Sequence, residues 1–256
     1  MNTFTAEETK DRLITSRVQL LLNNGFFGNL ATRLQLQDAS DWCPTAATDG
    51  RFFFYNKEFI DSLDDEELIF LMGHEVLHNV YDHMDRRGSR DPRLWNIAND
   101  YVVNMDLVEN NIGKKITKVQ ICFDYKYQNM FSDEVYDDLF ENAEQVTEET
   151  LDMHLDFSDG EDGDGQSAQG NAQGGDDDKK GPPQYSEEER RQIQDEMKEA
   201  IMNAAKSAGN KDVPRGVRKM IKNLTNPELD WRELLATNIQ SVVKNDFTFM
   251  RPARKG

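Results

Sequence analysis

Ser62-Leu-Asp-Asp-Glu-Glu-Leu-Ile-Phe-Leu-Met-Gly-His74-Glu75-Val-Leu-His78-Asn-Val80 is the stretch on which the reading of this chain turns. Leu68, Ile69, Phe70, Leu71, Met72, Val76, Leu77 and Val80 cover most of a helical circumference. A helix that is apolar nearly all round is a central, buried one. Ser62 and Asp65 are the expected capping pair at its start. Three polar residues interrupt the apolar surface. His74 and His78, four apart, lie ~40° apart around the helix and one turn apart along it, so both imidazoles reach one metal ion. Polar side chains on a buried helix are costly unless they are paired or hold a metal. Glu75, on the same turn, is placed to take a proton from a metal-activated water and pass it to a leaving amine.

A catalytic zinc site needs a third protein ligand and one open position. His83 is the nearest candidate, but on a continuous helix it lies ~180° round from His74 and ligates only if the helix ends before it. Asp100 is the preferred candidate. It sits on the next expected helix, and the intervening loop lets that helix fold back antiparallel. Glu109, near the end of that helix, is a weaker option. Asn104, one turn beyond Asp100, is placed to orient a ligand from behind.

Working outward, Asp91-Pro92 reads as a cap and first helical position for the helix carrying Leu94, Trp95, Ile97, Ala98, Tyr101, Val102 and Met105. Ala46 to Tyr55 reads as two strands around Asp49-Gly50, with Asn56 to Ser62 leading out. Upstream, Thr5-Ala-Glu-Glu8 has capping-box spacing and opens a first helix that Asn23-Asn24-Gly25 ends. The apolar patch Phe26 to Leu36 suggests a second, shorter helix. Downstream, a short helix starts at Ser132. Ser158 to Asp178 holds seven acidic residues and no basic one, with too little apolar surface to offset ordering entropy. Its Asp159-Gly-Glu-Asp-Gly-Asp-Gly string lacks the twelfth-position Glu of a calcium hand. Helices resume from Ser186 through Ile193, Met197, Ile201 and Ala204, then at 217–224 and 227–243. The expected organisation is an α+β, mostly helical domain over 1–155, an acidic linker over 156–185 and a helical segment over 186–256 that packs back on the core.

The 256 residues carry 48 acidic and 30 basic side chains, a formal charge of −18. That disfavours bulk binding to nucleic acid or anionic membrane. Residues 206–256 run the other way, at +6, but without a recognised nucleic-acid motif. Two distant cysteines, Cys43 and Cys122, make neither a disulfide framework nor a four-thiolate zinc site. The longest apolar run falls far short of a membrane span. The start has neither a basic nor an apolar leader region, so a cytoplasmic location is expected.

The pattern His74-Glu-x-x-His78-x4-His83-x2-Arg86, then Trp95-Asn96-x-Ala98-x-Asp100-x3-Asn104, resembles the predicted metal-dependent peptidase family of bacteria and phages. Its zincin-like domain is usually followed by a von Willebrand A-like domain. Thr48-Asp-Gly-Arg51, Asn56, Phe59, Leu63, Glu67-Leu68 and Ser132-x-Glu134-x-Tyr136-x2-Leu139 are similar too, as are Trp231-Arg-Glu-Leu-Leu235 and Arg251-Pro252 more weakly. The resemblance implies a compact, minimal gluzincin-like core with one zinc ion at His74 and His78. It supports Asp100 where related zincins place a carboxylate ligand. No Asp-x-Ser-x-Ser motif occurs, so the usual C-terminal module is expected to be missing.

The expected activity is zinc-dependent hydrolysis of a peptide or protein. The competing reading is a non-catalytic metal-binding scaffold, which has no need of Glu75. Arg51 to Tyr55, with Arg51 and Phe53, would suit a substrate added as an extra strand. Arg86, in a loop with Arg87, Arg90 and Arg93, is a candidate for holding a substrate carboxylate or an oxyanion.

Overall fold

The computed structural model describes residues 4–142, 181–209 and 213–225. Over these the chain is α+β and mostly helical, with one small three-stranded sheet. Helix α1 (Ala6–Asn23) starts at Thr5, whose hydroxyl accepts from Glu8 N while the Glu8 carboxylate accepts from Thr5 N. Asn24 ends α1 and begins α2 (Gly25–Ala31), its Oδ1 accepting from Phe27 N. Phe26, Phe27 and Leu30 of α2 go into the core.

The second helix is shorter than its apolar patch. It stops at Ala31, and Gln35–Asp38 forms strand β1. Leu34-Gln35-Leu36-Gln37 alternates with period two, and a strand partner takes up that alternation. Strands β2 (Ala46–Thr48) and β3 (Phe52–Tyr55) form the expected hairpin. Its turn is held by Asp49, whose Oδ1 accepts from Arg51 N and Phe52 N, and by Gly50 at φ +90°. The sheet order is β1-β3-β2. Gln35 to Asp38 pair in parallel with Phe52 to Tyr55, and Ala46 to Thr48 pair antiparallel with Tyr55 to Phe53. Strand β3 is therefore central and paired on both sides. A substrate cannot be added to it, and Phe53 is fully buried. The expected use of Arg51–Tyr55 as a substrate-holding strand fails for that reason.

Asn56 to Ser62 is not a plain exit from β3. Lys57–Ser62 forms helix α3, with Asn56 capping Phe59 N. The cap of α4 (Asp65–Val80) is also not the Ser62/Asp65 pair. Asp64 is the N-cap: its Oδ1 accepts from Glu67 N, and the Glu67 carboxylate accepts from Asp64 N. Ser62 belongs to α3, where its hydroxyl bonds Phe59 O. Every residue of α4 from Glu67 to Val80 is buried, beneath α1, α2, β2, α5 and α7. Helix α5 (Pro92–Glu109) starts as expected, with Asp91 accepting from Leu94 N and Pro92 in its first turn. Helix α6 (Ser132–Glu141) packs on α5.

Helix α7 (Glu187–Ala208) opens on a Ser186/Glu189 capping box. It packs on α2 and α4 through Ile193, Ala200, Ile201 and Ala204. Helix α8 spans Arg215–Thr225. Among the described residues, those up to Arg218 belong to one compact unit and those from Lys219 on to a second. Residues 156–180 of the expected linker and the helix expected over 227–243 lie outside the described residues. No helix among the described residues is long and apolar enough to cross a membrane.

Candidate metal centre

Two helices build the site. His74 and His78 come from α4, and Asn104 and Asp100 come from α5. His74 faces Asn104 while His78 faces Asp100, so the two helices run antiparallel. Their close approach depends on Gly73. A Cβ there would lie 2.8 Å from Leu107 Cδ2 and 2.9 Å from Ile112 Cγ2, so a larger residue would displace those two side chains. The pair is dry: His74, Glu75 and Asp100 are 0% exposed and His78 is 2%.

The three candidate ligand atoms form a small triangle. His74 Nε2 and His78 Nε2 are 2.9 Å apart, and Asp100 Oδ1 lies 3.7 Å from the first and 3.4 Å from the second. The point equidistant from three such corners is about 2 Å from each, which is the length of a metal–nitrogen or metal–carboxylate bond. Two imidazoles and one carboxylate are also a donor set that first-row divalent ions accept. His74, His78 and Asp100 could therefore hold a metal, and they are the one such group among the described residues.

The ring behind each histidine is held as well. Asn104 Nδ2 donates to Cys122 O at 3.0 Å, and a carbonyl can only accept. That fixes the amide, so Asn104 Oδ1 is the atom 3.0 Å from His74 Nδ1, and Nδ1 must carry the proton. His74 Nε2 is left with its lone pair directed at the triangle, as a ligand requires.

His83 does not reach the triangle. Helix α4 ends at Val80, and Asp82 takes φ +55°, so the chain turns back and His83 is buried. Its Nδ1 meets His78 Nδ1 at 3.0 Å, on the side of His78 away from the candidate ion. Its Nε2 meets Ser132 Oγ at 3.0 Å, and Trp95 Nε1 donates to its backbone carbonyl at 2.9 Å. Glu109, the other alternative, accepts from Gln128 at the far end of α5.

A family model described as "Putative metallopeptidase domain" matches residues 8–256. The chain belongs to that family. No curated protein and no solved structure matches it.

The other residues expected at the metallopeptidase site are engaged elsewhere. Arg86 and Arg90 both grip Asp133 on α6, at 2.5 and 2.7 Å, and Arg90 also lies over the Trp95 ring. The arginine loop thus ties α6 to the start of α5. Arg51 pairs with Glu196 of α7 at 3.3 Å. Two partly buried carboxylates nearby have raised pKa values. Burial, and then the charge of Asp85, pushes Asp82 up to about 6. Burial also pushes Asp106 up to about 6, against the hydrogen bond it accepts from Tyr81. Sequence reasoning did not find Ser132 as part of the site. Its signal was present, as the first residue of α6 in a segment matching the family pattern, but nothing in the spacing ties position 132 to position 83.

Proposed function

We propose that this metallopeptidase-family chain is a zinc-dependent peptidase that hydrolyses peptide bonds in a peptide or protein substrate, with Glu75 as general base. The observation that carries the reading is the position of Glu75. It is a fully buried carboxylate on the same helical turn as two imidazoles whose ligand atoms converge with Asp100. A buried carboxylate is costly unless it is paired, hydrogen-bonded or placed beside a metal, and a purely structural ion needs no such residue beside its ligands.

When bound, a zinc ion would polarise the scissile carbonyl and bring the pKa of water down to about 7. His74 and His78 would hold it through Nε2 and Asp100 through Oδ1. Asn104 keeps His74 in the tautomer that binds. Glu75 takes the proton of the attacking water and hands it to the leaving amine, so the residue serves as base and then as acid. The dry surroundings strengthen each of these interactions.

The test is peptide hydrolysis as a function of metal. Purified full-length protein should contain one zinc per chain, lose cleavage of an unfolded protein substrate on chelation, and recover it when zinc is returned. Cleavage that survives complete removal of metal would contradict the proposal. So would a fully zinc-loaded chain that cleaves nothing while a chelator unfolds it, which is the behaviour of a metal-binding scaffold.

A further inference from the structure

His74, Glu75, His78 and Asp100 are at most 2% exposed, so no peptide chain reaches them in this conformation. Of the elements that cover α4, α5 carries Asp100, and α1, α2 and β2 carry core side chains such as Leu13, Leu20, Phe26, Phe27 and Ala47. Helix α7 holds on more lightly, since only Ile193, Ala200, Ile201 and Ala204 of its 22 residues are buried. The chain leading into α7 and the first half of the helix are held by polar contacts. Tyr185 Oη donates to Asp49 Oδ2 at 2.6 Å, Glu196 pairs with Arg51, and Gln194 donates to Asp85. Partly exposed contacts of this kind are exchanged for water at little cost. The C-terminal end of α7 rests on α2, where Ala208 lies over Gly25 and Ser207 accepts from Asn29.

The seam beneath the first half of α7 is imperfectly filled. Asn79 lies one turn beyond Glu75 on the same face of α4, and its Nδ2 donates to Thr48 Oγ1 and to Glu75 O. Its Oδ1 is buried and accepts no hydrogen bond among the described residues. What α7 presents there is apolar. Ile193 Cγ2, Asn79 Oδ1 and Met197 Cε all lie within 3.9 Å of the position a Cβ would take on Gly50, at the turn between β2 and β3. A cavity lined by Asn79, Asp82, Ile193 and Met197 remains beside them. A buried acceptor left without a donor is costly. This face is therefore better matched by a chain that brings N–H groups, and an extended peptide brings one at every residue but proline. We propose that α7 is an autoinhibitory strap lying in the groove by which a peptide substrate reaches Glu75 and the metal ligands. The half from Glu187 to Met197 swings away from α4 and the β2–β3 turn about the end seated on α2, and Asn79 Oδ1 is then open to a substrate N–H. The strap rests on the peptidase reading for what enters the groove, but the covering does not depend on the cleavage step.

The test ties α7 down reversibly in the full-length chain. Asp85→Cys and Gln194→Cys replace a hydrogen-bonded pair at the edge of the seam, and a short bis-methanethiosulfonate joins the two thiols through bonds that a phosphine reductant cleaves. Cys43 and Cys122 are buried, and wild type treated with the same reagent is the control. Apparent affinity scales with the fraction of chain that is open, so bridging should lower casein cleavage by the zinc-loaded chain and casein binding by the metal-free chain by about tenfold or more. Fluorescein-labelled casein reports both, through fragment release and anisotropy. Reduction should restore both, which a misfolded chain would not do. Ile193→Asp sets a charge beside Asp49 and Asp82 in the same seam. By loosening the strap it should raise kcat/KM for casein by about tenfold. A bridged chain that binds and cleaves like the unbridged one, or a folded Ile193→Asp no faster than wild type, would overturn the strap and leave the peptidase reading intact. Casein binding that responds to the bridge, with no cleavage by any zinc-loaded form, would overturn the peptidase reading and uphold the covering. A chain that neither binds nor cleaves casein in any form, Ile193→Asp included, would overturn both.

Discussion

Asp100 supplies the third corner of the triangle and its negative charge. Replacing it with Asn keeps the size and removes the anionic ligand. Loss of a partner behind a ligand costs about ten- to a hundredfold in affinity, so loss of the ligand itself should cost on the order of a hundredfold or more. Zinc titration of Asp100→Asn checks this, and wild-type affinity would rule Asp100 out. Asp106 gives a prediction of a different kind. Its carboxyl, raised to about 6, keeps a proton in the folded protein at pH values where the unfolded chain has released it. Its contribution to stability is therefore largest near pH 4 and falls as pH rises towards 6 and beyond. Asp106→Asn, which still accepts from Tyr81, escapes that loss. The variant should gain on wild type with rising pH, by on the order of 2 kcal/mol between pH 4 and 7 in denaturant melts. An equal difference at both values would contradict a raised Asp106 pKa. At this scale the sequence exposed the residues that obey a spacing rule. His74, Glu75 and His78 sit on one helix, and Asp100 and Asn104 are one turn apart on the next. His83 was misleading because its direction depends on where α4 ends, and that end is set by Tyr81 and a left-handed Asp82 rather than by a glycine or proline.

At the scale of elements, α4 and α5 were legible because their apolar residues repeat at helical spacing, and the Asp91-Pro92 start of α5 was written in its cap. Strand β1 was lost for a specific reason. Leu34 and Leu36 alternate over too few residues to outweigh the helical patch before them. The role of Arg51–Tyr55 was misread because a strand's neighbours are a tertiary fact: β1 and β2 take both sides of β3. The α4–α5 spacing is the element-scale property that the site needs most. Gly73→Val places branched carbon where Leu107 and Ile112 already sit. Overpacking of this kind typically costs about 1–3 kcal/mol and is relieved by shifts of side chains and backbone, here next to the helix that holds Asp100. The variant should melt at lower temperature and bind zinc more weakly, even at temperatures where circular dichroism shows it folded. Unchanged zinc affinity in the folded variant would mean that α5 does not set the site's geometry.

For the whole molecule, the formal charge of −18 proved to be a sum of unlike parts and said little about the site, which is buried. The core that carries the site is packed by apolar side chains from several elements. Helix α4 is covered by α1, α2, α5, α7 and β2, and Phe26, Phe27, Phe53, Phe54, Phe70 and Trp95 are fully buried in the same unit. Chelation should therefore stop hydrolysis with the far-ultraviolet circular dichroism unchanged. The melting temperature should fall only by mass action, worth about 2.7 kcal/mol when zinc stands at a hundred times its dissociation constant. Loss of helical signal on chelation at 25 °C would instead assign the ion a structural role.

The central claim is that Glu75 is the base of a metal-dependent peptidase. It is tested most directly by the rate at which Glu75→Gln cleaves an unfolded protein substrate, with variant and wild type both carrying one zinc per chain. The account predicts retained zinc and a rate lowered by about a hundredfold to ten-thousandfold, the usual contribution of a general base. Cleavage by the zinc-loaded variant at the wild-type rate would contradict it.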